Sequence, residues 1–330
     1  MFEVTLQPAG LTFLADGQQD LLTAARAAGI AVPAACRNGV CEICAARLVA
    51  GQAVNTRTNQ PCMPGSELML CRALACSDLQ LEITAVMAAG QTNPRKMQAR
   101  VTGLEAISHD VYRVRLSLPR RRELVFHAGQ YLAIQLPDTE PAYFSIASSP
   151  DQAELELHIQ ASPDWVSAQR VVDALRAQPE VTLELPYGKA CLAAVPHQPL
   201  VLVAAGTGFA QMKSIIDFLR HANNAQPVHL YWGVRRLADM YLLDLAREWE
   251  QELAPLFTFS PLIGDNEDND WAGHHDQLAR AVLSDGHDWA NVQVLASGSP
   301  VMVYTLMDAL LAQGLPEAAF LSDVLEYAPR

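Results

Sequence analysis

This 330-residue sequence is short of several things, and each shortage closes off a class of protein. It has no run of about 18 or more apolar residues free of charge, so no membrane-spanning helix is expected. The opening stretch MFEVTLQPAGLTFLADG lacks the basic start and apolar run of a secretion signal, which makes the cytoplasm the default location. Basic residues are scarce, 23 Lys and Arg against 36 Asp and Glu, a net charge of −13. That balance argues against non-specific nucleic-acid binding. The seven cysteines are an odd number in a chain without a secretion signal, which argues against a disulfide framework. The nine histidines show no ligand spacing, and no Ser/His/Asp hydrolytic arrangement can be argued. There is no internal repeat and no low-complexity segment.

The chain is too long for one ordinary core, and two or three domains are expected. Residues 1–88 open with alternating short strands, FEVTLQ and LTFLA, followed by a helical segment from Gln19 to Ala28. CAARLVAG and LQLEITAV read as further strands. Residues 89–97, with Gly, Asn-Pro and two basic side chains, read as a linker. From 98 to 196 strand-like runs are spaced by turn signals and interrupted by one helix, Trp165 to Ala177, which suggests an antiparallel barrel. From 197 to 330 the period changes. PLVLVAAG is a continuous apolar run of the kind found in buried parallel strands. Strands and helices then alternate, with strands PVHLYWGV, FTFSPLI and VQVLASG, as in a doubly wound nucleotide-binding sheet. This last part carries 7 basic and 17 acidic side chains, which read as a solvated face or a docking face for a basic partner. A basic run, Arg120–Arg122, falls at a predicted turn and reads as a solvated face or a place for an acidic partner.

Two patterns carry chemistry. CRNGVCEIC spaces Cys36, Cys41 and Cys44 by four and two residues, and Cys71 follows in LMLCRALACSDLQLE. A two-iron cluster needs four thiolates converging on one small loop whose N–H groups point at the sulfurs, and this is the plant-type [2Fe–2S] spacing. Structural zinc and unliganded thiols are the alternatives. Cys62 and Cys76 read as free thiols. In VLVAAGTGFAQMKSI, Gly206, Thr207 and Gly208 lie between a buried strand and a helix start, where backbone N–H groups can meet a pyrophosphate. A second turn, Ser297-Gly298-Ser299-Pro300, follows the last apolar strand, so both turns fall at the carboxyl edge of the sheet. Arg235, with Arg236, ends the YWGVRR strand and reads as a contact for an adenosine 2′-phosphate or as a solvated strand end.

Together these residues resemble the ferredoxin–NADP reductase family with an N-terminal [2Fe–2S] domain, over essentially the whole chain. Oxygenase reductase components, CDP-6-deoxy-Δ3,4-glucoseen reductases and, from residue 98 onward, bacterial NAD(P)H:flavin oxidoreductases share the likeness, carried there by FSIAS, LELHI, AGTGF, YWG and SDVLEY. The resemblance implies three domains: a β-grasp ferredoxin domain, an antiparallel β-barrel that binds FAD, and a doubly wound parallel sheet that binds NADH or NADPH. It implies hydride transfer from NAD(P)H to the flavin, then single-electron transfer through the cluster to a redox partner such as an oxygenase or dehydratase component. Cys36, Cys41, Cys44 and Cys71 would hold the metal. Ser145 and Ser297 would be catalytic, Ser145 near the flavin N5 and Ser297 near the nicotinamide.

Phe144, Ile146, Ser167, Gly206, Thr207, Gly208, Arg235, Gly298, Pro300 and Tyr327 would contact cofactors, with Phe320 an alternative to Tyr327. Several positions depart from the family pattern. Ala142 stands where an arginine pairs with a flavin phosphate, Ser297 where cysteine is common, Gln211 where proline is common, and Glu42 where glycine is common. The start of the helix near Ser167, or Lys189, is the expected substitute for the missing arginine. Two other readings stay open: a reductase using flavin as a dissociable substrate, and a non-enzymatic carrier or sensor.

Overall fold

The computed structural model describes every residue except 35, 84, 89–90, 92–93, 120–123, 138, 164 and 265–273, together with the side chains of 274 and 275. Arg120–Arg122 therefore lies outside the described residues. The N-terminal domain pairs β1 (Phe2–Gln7) with β2 (Leu11–Ala15) in a hairpin, and α1 (Leu21–Ala27) crosses the sheet. Asp20 caps α1 by accepting from the Thr23 N–H at 2.9 Å, and Leu21, Leu22 and Ala25 are buried under it. β3 (Ala45–Ala50), β6 (Glu67–Met69) and β8 (Leu79–Glu82) complete a sheet of order β2-β1-β8-β3-β6. The β1–β8 pairing is parallel, which a hairpin cannot make and which needs a long connection, here one that includes α1. A second small sheet, β5 (Pro61–Cys62), β4 (Ala53–Asn55) and β7 (Ala73–Ala75), covers one end; strands this short carry no legible period.

The middle domain is a six-stranded antiparallel sheet of order β12-β11-β14-β9-β10-β13. Its strands are β9 (Arg95–Ala106), β10 (Val111–Ser117), β11 (Tyr131–Gln135), β12 (Ala142–Ser145), β13 (Leu155–Gln160) and β14 (Glu180–Tyr187). A bridge between Ile146 and Leu157 joins the two edges and nearly closes the barrel. β9 begins at Arg95, paired with Leu185, so the barrel takes over residues that the composition alone reads as linker. α2 (Val166–Ala177) packs on β12, β13 and β9 and buries Val171, Val172 and Leu175.

The C-terminal domain is a parallel sheet of order β17-β16-β15-β18-β19. β15 (Leu200–Ala205), β16 (Val228–Val234), β17 (Phe257–Ile263) and β18 (Gln293–Ser297) alternate with α3 (Phe209–His221), α4 (Leu243–Glu252), α5 (His274–Ser284) and α6 (Pro300–Leu311). The two-residue β19 (Phe320–Leu321) adds an edge too short to read from sequence, and α7 (Val324–Tyr327) follows. The central β15 is buried on both faces, as its unbroken apolar run requires.

α3 is buried along almost its whole length, one side on the sheet and the other on the barrel. Its polar residues make that second seam. Lys213 lies 3.4 Å from Glu156 and 3.0 Å from Asp217, and Ser214 donates to the Ser148 carbonyl at 2.8 Å. A carboxylate only accepts, so the Nε2 proton of His158 goes to Glu156 at 2.9 Å and its Nδ1 accepts from the Tyr241 hydroxyl at 3.1 Å. His158 is fully buried and burial pushes its imidazole down, so it is a neutral donor. The cations facing Glu156 are Lys213 and, at 3.9 Å, Arg113. Burial works against the Glu156 carboxylate, but His158 and Lys213 outweigh it and bring it down to about 2.

Candidate functional site

The first centre is the loop between α1 and β3. Arg37, Gly39 and Glu42 there adopt φ of 53°, 79° and 56°. A Cβ on Gly39 would stand 2.8 Å from Cγ of Arg72, so the turn has room only for glycine. Glu42 holds a left-handed backbone that glycine adopts freely, which is the physical content of that departure. The four cysteines form two pairs, with Cys36 near enough to Cys44 and Cys71 to act on their thiols. The Cys44 and Cys71 sulfurs are 3.3 Å apart and both residues are buried. The Cys36 N–H points at the Cys41 sulfur at 3.5 Å and the Cys41 N–H at the Cys36 sulfur at 3.2 Å.

Burial opposes a Cys36 thiolate, but the N–H groups of Cys41, Asn38 and Val40 outweigh it and bring the thiol down to about 6. Cys44 is brought down to about 7, chiefly by its hydrogen bond with Cys71, whose own thiol is pushed up by that contact and by burial. An all-sulfur donor set with N–H groups aimed at it fits a two-iron cluster. Cys62 lies in β5 and Cys76 directly after β7, outside that loop. β4 lies between β5 and β7, with Ala53 opposite both Cys62 and Ala75. Two strand spacings, roughly 9–10 Å, then separate the thiol-bearing backbones, too far for a disulfide.

The second centre is a cleft of about 570 Å³ between the barrel and the parallel sheet. Phe144 and Ser145, at the end of β12, line one wall; Ser297 and Gly298, at the end of β18, line the other. Its size is that of a cofactor site. Ile146 is fully buried and closes the barrel, so its side chain serves the core and only its backbone is near the cleft wall. Tyr327 is exposed at the rim, whereas Phe320 is buried in the sheet, which separates the two aromatic candidates.

The two nucleotide turns touch each other. A Cβ on Gly208 would lie 2.3 Å from the Ser297 carbonyl oxygen, and one on Gly298 would lie 2.4 Å from Cε of Met302. Gly206 differs: at φ 54° it has nothing within 4 Å of a built Cβ, leaving open space over the turn that contains Thr207. Trp232 fixes this turn by donating from its ring to the Gly206 carbonyl at 3.0 Å. Ser299 caps α6 by accepting from the Met302 N–H at 3.3 Å, and Pro300 sits in the first turn, where a missing N–H does no harm. Arg235 is exposed just beyond β16, at the same carboxyl edge.

Ser167 is exposed in the first turn of α2, outside the cleft lining, and Trp165 gives that helix no side-chain cap. Lys189 is occupied by Glu326 at 3.2 Å. Ala142 is half-buried at the start of β12.

Three features of the cleft escape a sequence reading. Tyr131, Tyr143 and Tyr187 form one aromatic wall: Tyr131 and Tyr187 stack at 5.6 Å, and Tyr143 meets both edge-on at 5.9 and 5.8 Å. They come from three strands, and only the pairing register brings them together. Gln211, in place of the common proline, puts its side-chain N–H group within 2.9 Å of the Gly129 carbonyl, 2.8 Å of the Ala190 carbonyl and 3.1 Å of Asp323. It ties the barrel to the nucleotide domain. Asp323, within the SDVLEY stretch, lines the cleft and is pushed up to about 7 by burial, against hydrogen bonds from the Ala190 N–H and Gln211.

Comparison with known proteins agrees with this division. Residues 4–77 match the 2Fe-2S iron-sulfur cluster binding domain, 98–191 the oxidoreductase FAD-binding domain and 202–307 the oxidoreductase NAD-binding domain. The CDP-6-deoxy-L-threo-D-glycero-4-hexulose-3-dehydrase reductase of Yersinia pestis is 29% identical over 324 residues, 97% of each chain. Terephthalate 1,2-dioxygenase reductase component 2 of Comamonas sp. is 29% identical over 335 residues, 99% of this chain and 98% of that one. The NAD(P)H-flavin reductase of Vibrio harveyi is 32% identical over 211 residues, 61% of this chain and 86% of its own. In fold, the chain is similar to the Amycolatopsis cytochrome P450 reductase GcoB, with a TM-score of 0.61 at 24% identity and 98% of each chain covered. Among the described residues no helix is long and apolar enough to cross a membrane.

Proposed function

The chain belongs to the ferredoxin–NADP reductase family and carries an N-terminal [2Fe–2S] domain, and we propose from that premise which residues do its work and which kind of partner it serves. It is an NAD(P)H-dependent oxidoreductase that passes hydride to FAD and single electrons through a [2Fe–2S] cluster to a redox partner. Bound FAD supplies the change from two-electron to one-electron chemistry.

Cys36, Cys41, Cys44 and Cys71 hold the cluster. Phe144 packs on the flavin ring, with the backbone of Ile146 continuing that wall. Ser145 offers its hydroxyl to the hydride-accepting edge, and Ser297 orients the nicotinamide from the opposite side. Gly206, Thr207, Gly208 and Gly298 leave room for the dinucleotide, and Pro300 starts the helix behind it. Arg235 meets the adenosine end, Ser167 and the uncapped start of α2 meet a flavin phosphate, and Tyr327 covers the cleft. One observation carries this reading: Ser145 and Ser297 face a single cleft in a chain that also gathers four cysteines.

The partner is an oxygenase or dehydratase component, a reading supported by two relatives of matching length whose names are those of a dehydrase reductase and a dioxygenase reductase. The test is anaerobic addition of NADH or NADPH to the purified protein. Bleaching of both flavin and cluster absorbance is expected; failure of either band to respond, with FAD supplied, would refute the reading.

Ala142 favours a second reading of the flavin as a loosely held group, since Lys189 is occupied by Glu326 and cannot readily replace the missing arginine. Ala142→Arg should then tighten flavin binding roughly ten- to hundred-fold, the worth of one charge-assisted hydrogen bond. An unchanged dissociation constant would sink that explanation.

A further inference from the structure

The segment that lines the flavin cleft runs on to the cluster loop. After Ser145, Ile146 closes the barrel, and the Ala147 and Ser148 carbonyls accept from Lys213 at 3.4 Å and Ser214 at 2.8 Å. Three residues later comes Asp151, only 4% exposed. Its carboxylate meets two arginines of the N-terminal domain: Arg26 on α1 pairs with Oδ1, and Nε of Arg37 lies 3.9 Å from the same atom. Arg37 directly follows Cys36, and it also donates to the His221 carbonyl at the C-terminal end of α3. The side chains of Arg26 and Asp151 are 8% and 2% exposed, so this contact is shielded from water. Among the described residues, Asp151 is the only carboxylate outside the N-terminal domain that pairs with a cation inside it.

We propose that Asp151 is the positioning residue for electron passage from flavin to cluster, clamping the cluster loop through Arg26 and Arg37 onto the segment that lines the flavin cleft. Ser145 and Asp151 are six steps apart along the chain, so their backbones lie no more than about 22 Å apart even if fully extended. Electron transfer weakens steeply with distance, so a loop held there transfers and a loop released does not. The clamp suits this task because it is specific. A carboxylate between two guanidinium groups fixes position, and removing its charge strands the buried Arg26 and frees the half-buried Arg37. The α3 helix braces both ends, taking the Ala147 and Ser148 carbonyls near its middle and giving its His221 carbonyl to Arg37. The inference rests on Phe144 and Ser145 forming the flavin wall.

The test uses the full chain with FAD and cluster in place, as wild type, Asp151→Asn, Asp151→Glu and Arg37→Gln. Anaerobic stopped-flow mixing with NADH separates flavin bleaching from cluster bleaching, and small-angle scattering on the same samples reads the spread of the domains. In Asp151→Asn, flavin bleaching and ferricyanide reduction should stay at the wild-type rate. Cluster bleaching and cytochrome c reduction should slow by roughly tenfold or more, and the radius of gyration should rise. Arg37→Gln should show the same split more weakly, and Asp151→Glu should recover much of the rate. Wild-type cluster bleaching with an unchanged radius in Asp151→Asn would overturn the proposal, as would equal slowing of flavin and cluster bleaching. The flavin-wall premise fails separately, if Ser145→Ala leaves flavin bleaching untouched.

Discussion

The seam between the barrel and the nucleotide domain is a web of buried polar contacts, whereas the seam to the N-terminal domain is sparser and centres on the carboxylate of Asp151. On the first, Gln211, Lys213 and Ser214 of α3 all reach barrel atoms, and His158 and Tyr241 add a further link. On the second, Arg26 and Arg37 share one acceptor. The difference follows from the work at each. Hydride moves only between closely held rings, so the two walls of that cleft need redundant fixing. A cluster that takes electrons from inside the molecule and delivers them to another protein has to be reachable from both sides. A few contacts are enough to place it.

The largest expected effect in breaking this contrast is at Lys213. Lys213→Met removes the cation that Glu156 and Asp217 share, leaving Glu156 to His158 and Arg113 and Asp217 to Arg220, and should destabilise the protein by about 3–5 kcal/mol in thermal or denaturant unfolding. A loss below about 1 kcal/mol would mean that the web holds the seam without its central cation.

Acid is the next lever. Glu156 has a folded pKa near 2, below its unfolded value near 4.5. Its contribution is therefore complete above pH 4.5 and lost as pH falls through 2, an effect of roughly 3 kcal/mol. Acid titration of stability should show this step, and Glu156→Gln should abolish it.

The smallest effect concerns Gln211 and Asp323. Gln211→Leu removes hydrogen bonds to buried oxygens and should cost about 1–3 kcal/mol. Asp323 titrates near 7 when folded, above an ordinary carboxyl, so its folded form holds the proton more tightly and stability declines as pH rises from about 4 through 7. A break near pH 7 in the rate of flavin reduction should move upward in Gln211→Leu, which loses a bond to the Asp323 carboxylate, and vanish in Asp323→Asn. An unmoved break in both variants would remove Asp323 from the cleft's chemistry.

The ease of reading each site from sequence tracks what its chemistry demands. The cluster loop is legible because a two-iron centre calls for one residue type at four places, so Cys36, Cys41, Cys44 and Cys71 stand out as candidates without any fold. The glycine turn is legible because only glycine permits the approach of Gly208 to Ser297. The aromatic wall is not, since Tyr131, Tyr143 and Tyr187 are unremarkable until strand register joins them. Gln211 appears in the sequence only as a departure from proline, and its reason is three oxygens contributed by distant segments. Asp323 stands in a stretch that reads as a motif, but only burial gives it an unusual proton affinity. The linker shortens for a similar reason: Arg95 and Lys96 are polar in composition yet join β9 because β14 offers them partners.

Alternating and continuous apolar runs, turn residues and the cysteine spacing determined three domains, their classes and the metal centre, because local periodicity and ligand chemistry are written residue by residue. Tertiary structure alone decided what covers the polar face of α3. By period that face belongs to solvent, but Lys213, Ser214 and Gln211 are buried against the barrel with their bonds satisfied across it. It alone also decided that Asp151, an ordinary acidic residue in a turn, meets Arg26 and Arg37 from a domain more than a hundred residues earlier. The physical reason is the same in both cases. A polar side chain is stable in water or opposite a complementary partner, and its own sequence neighbourhood looks alike in the two situations.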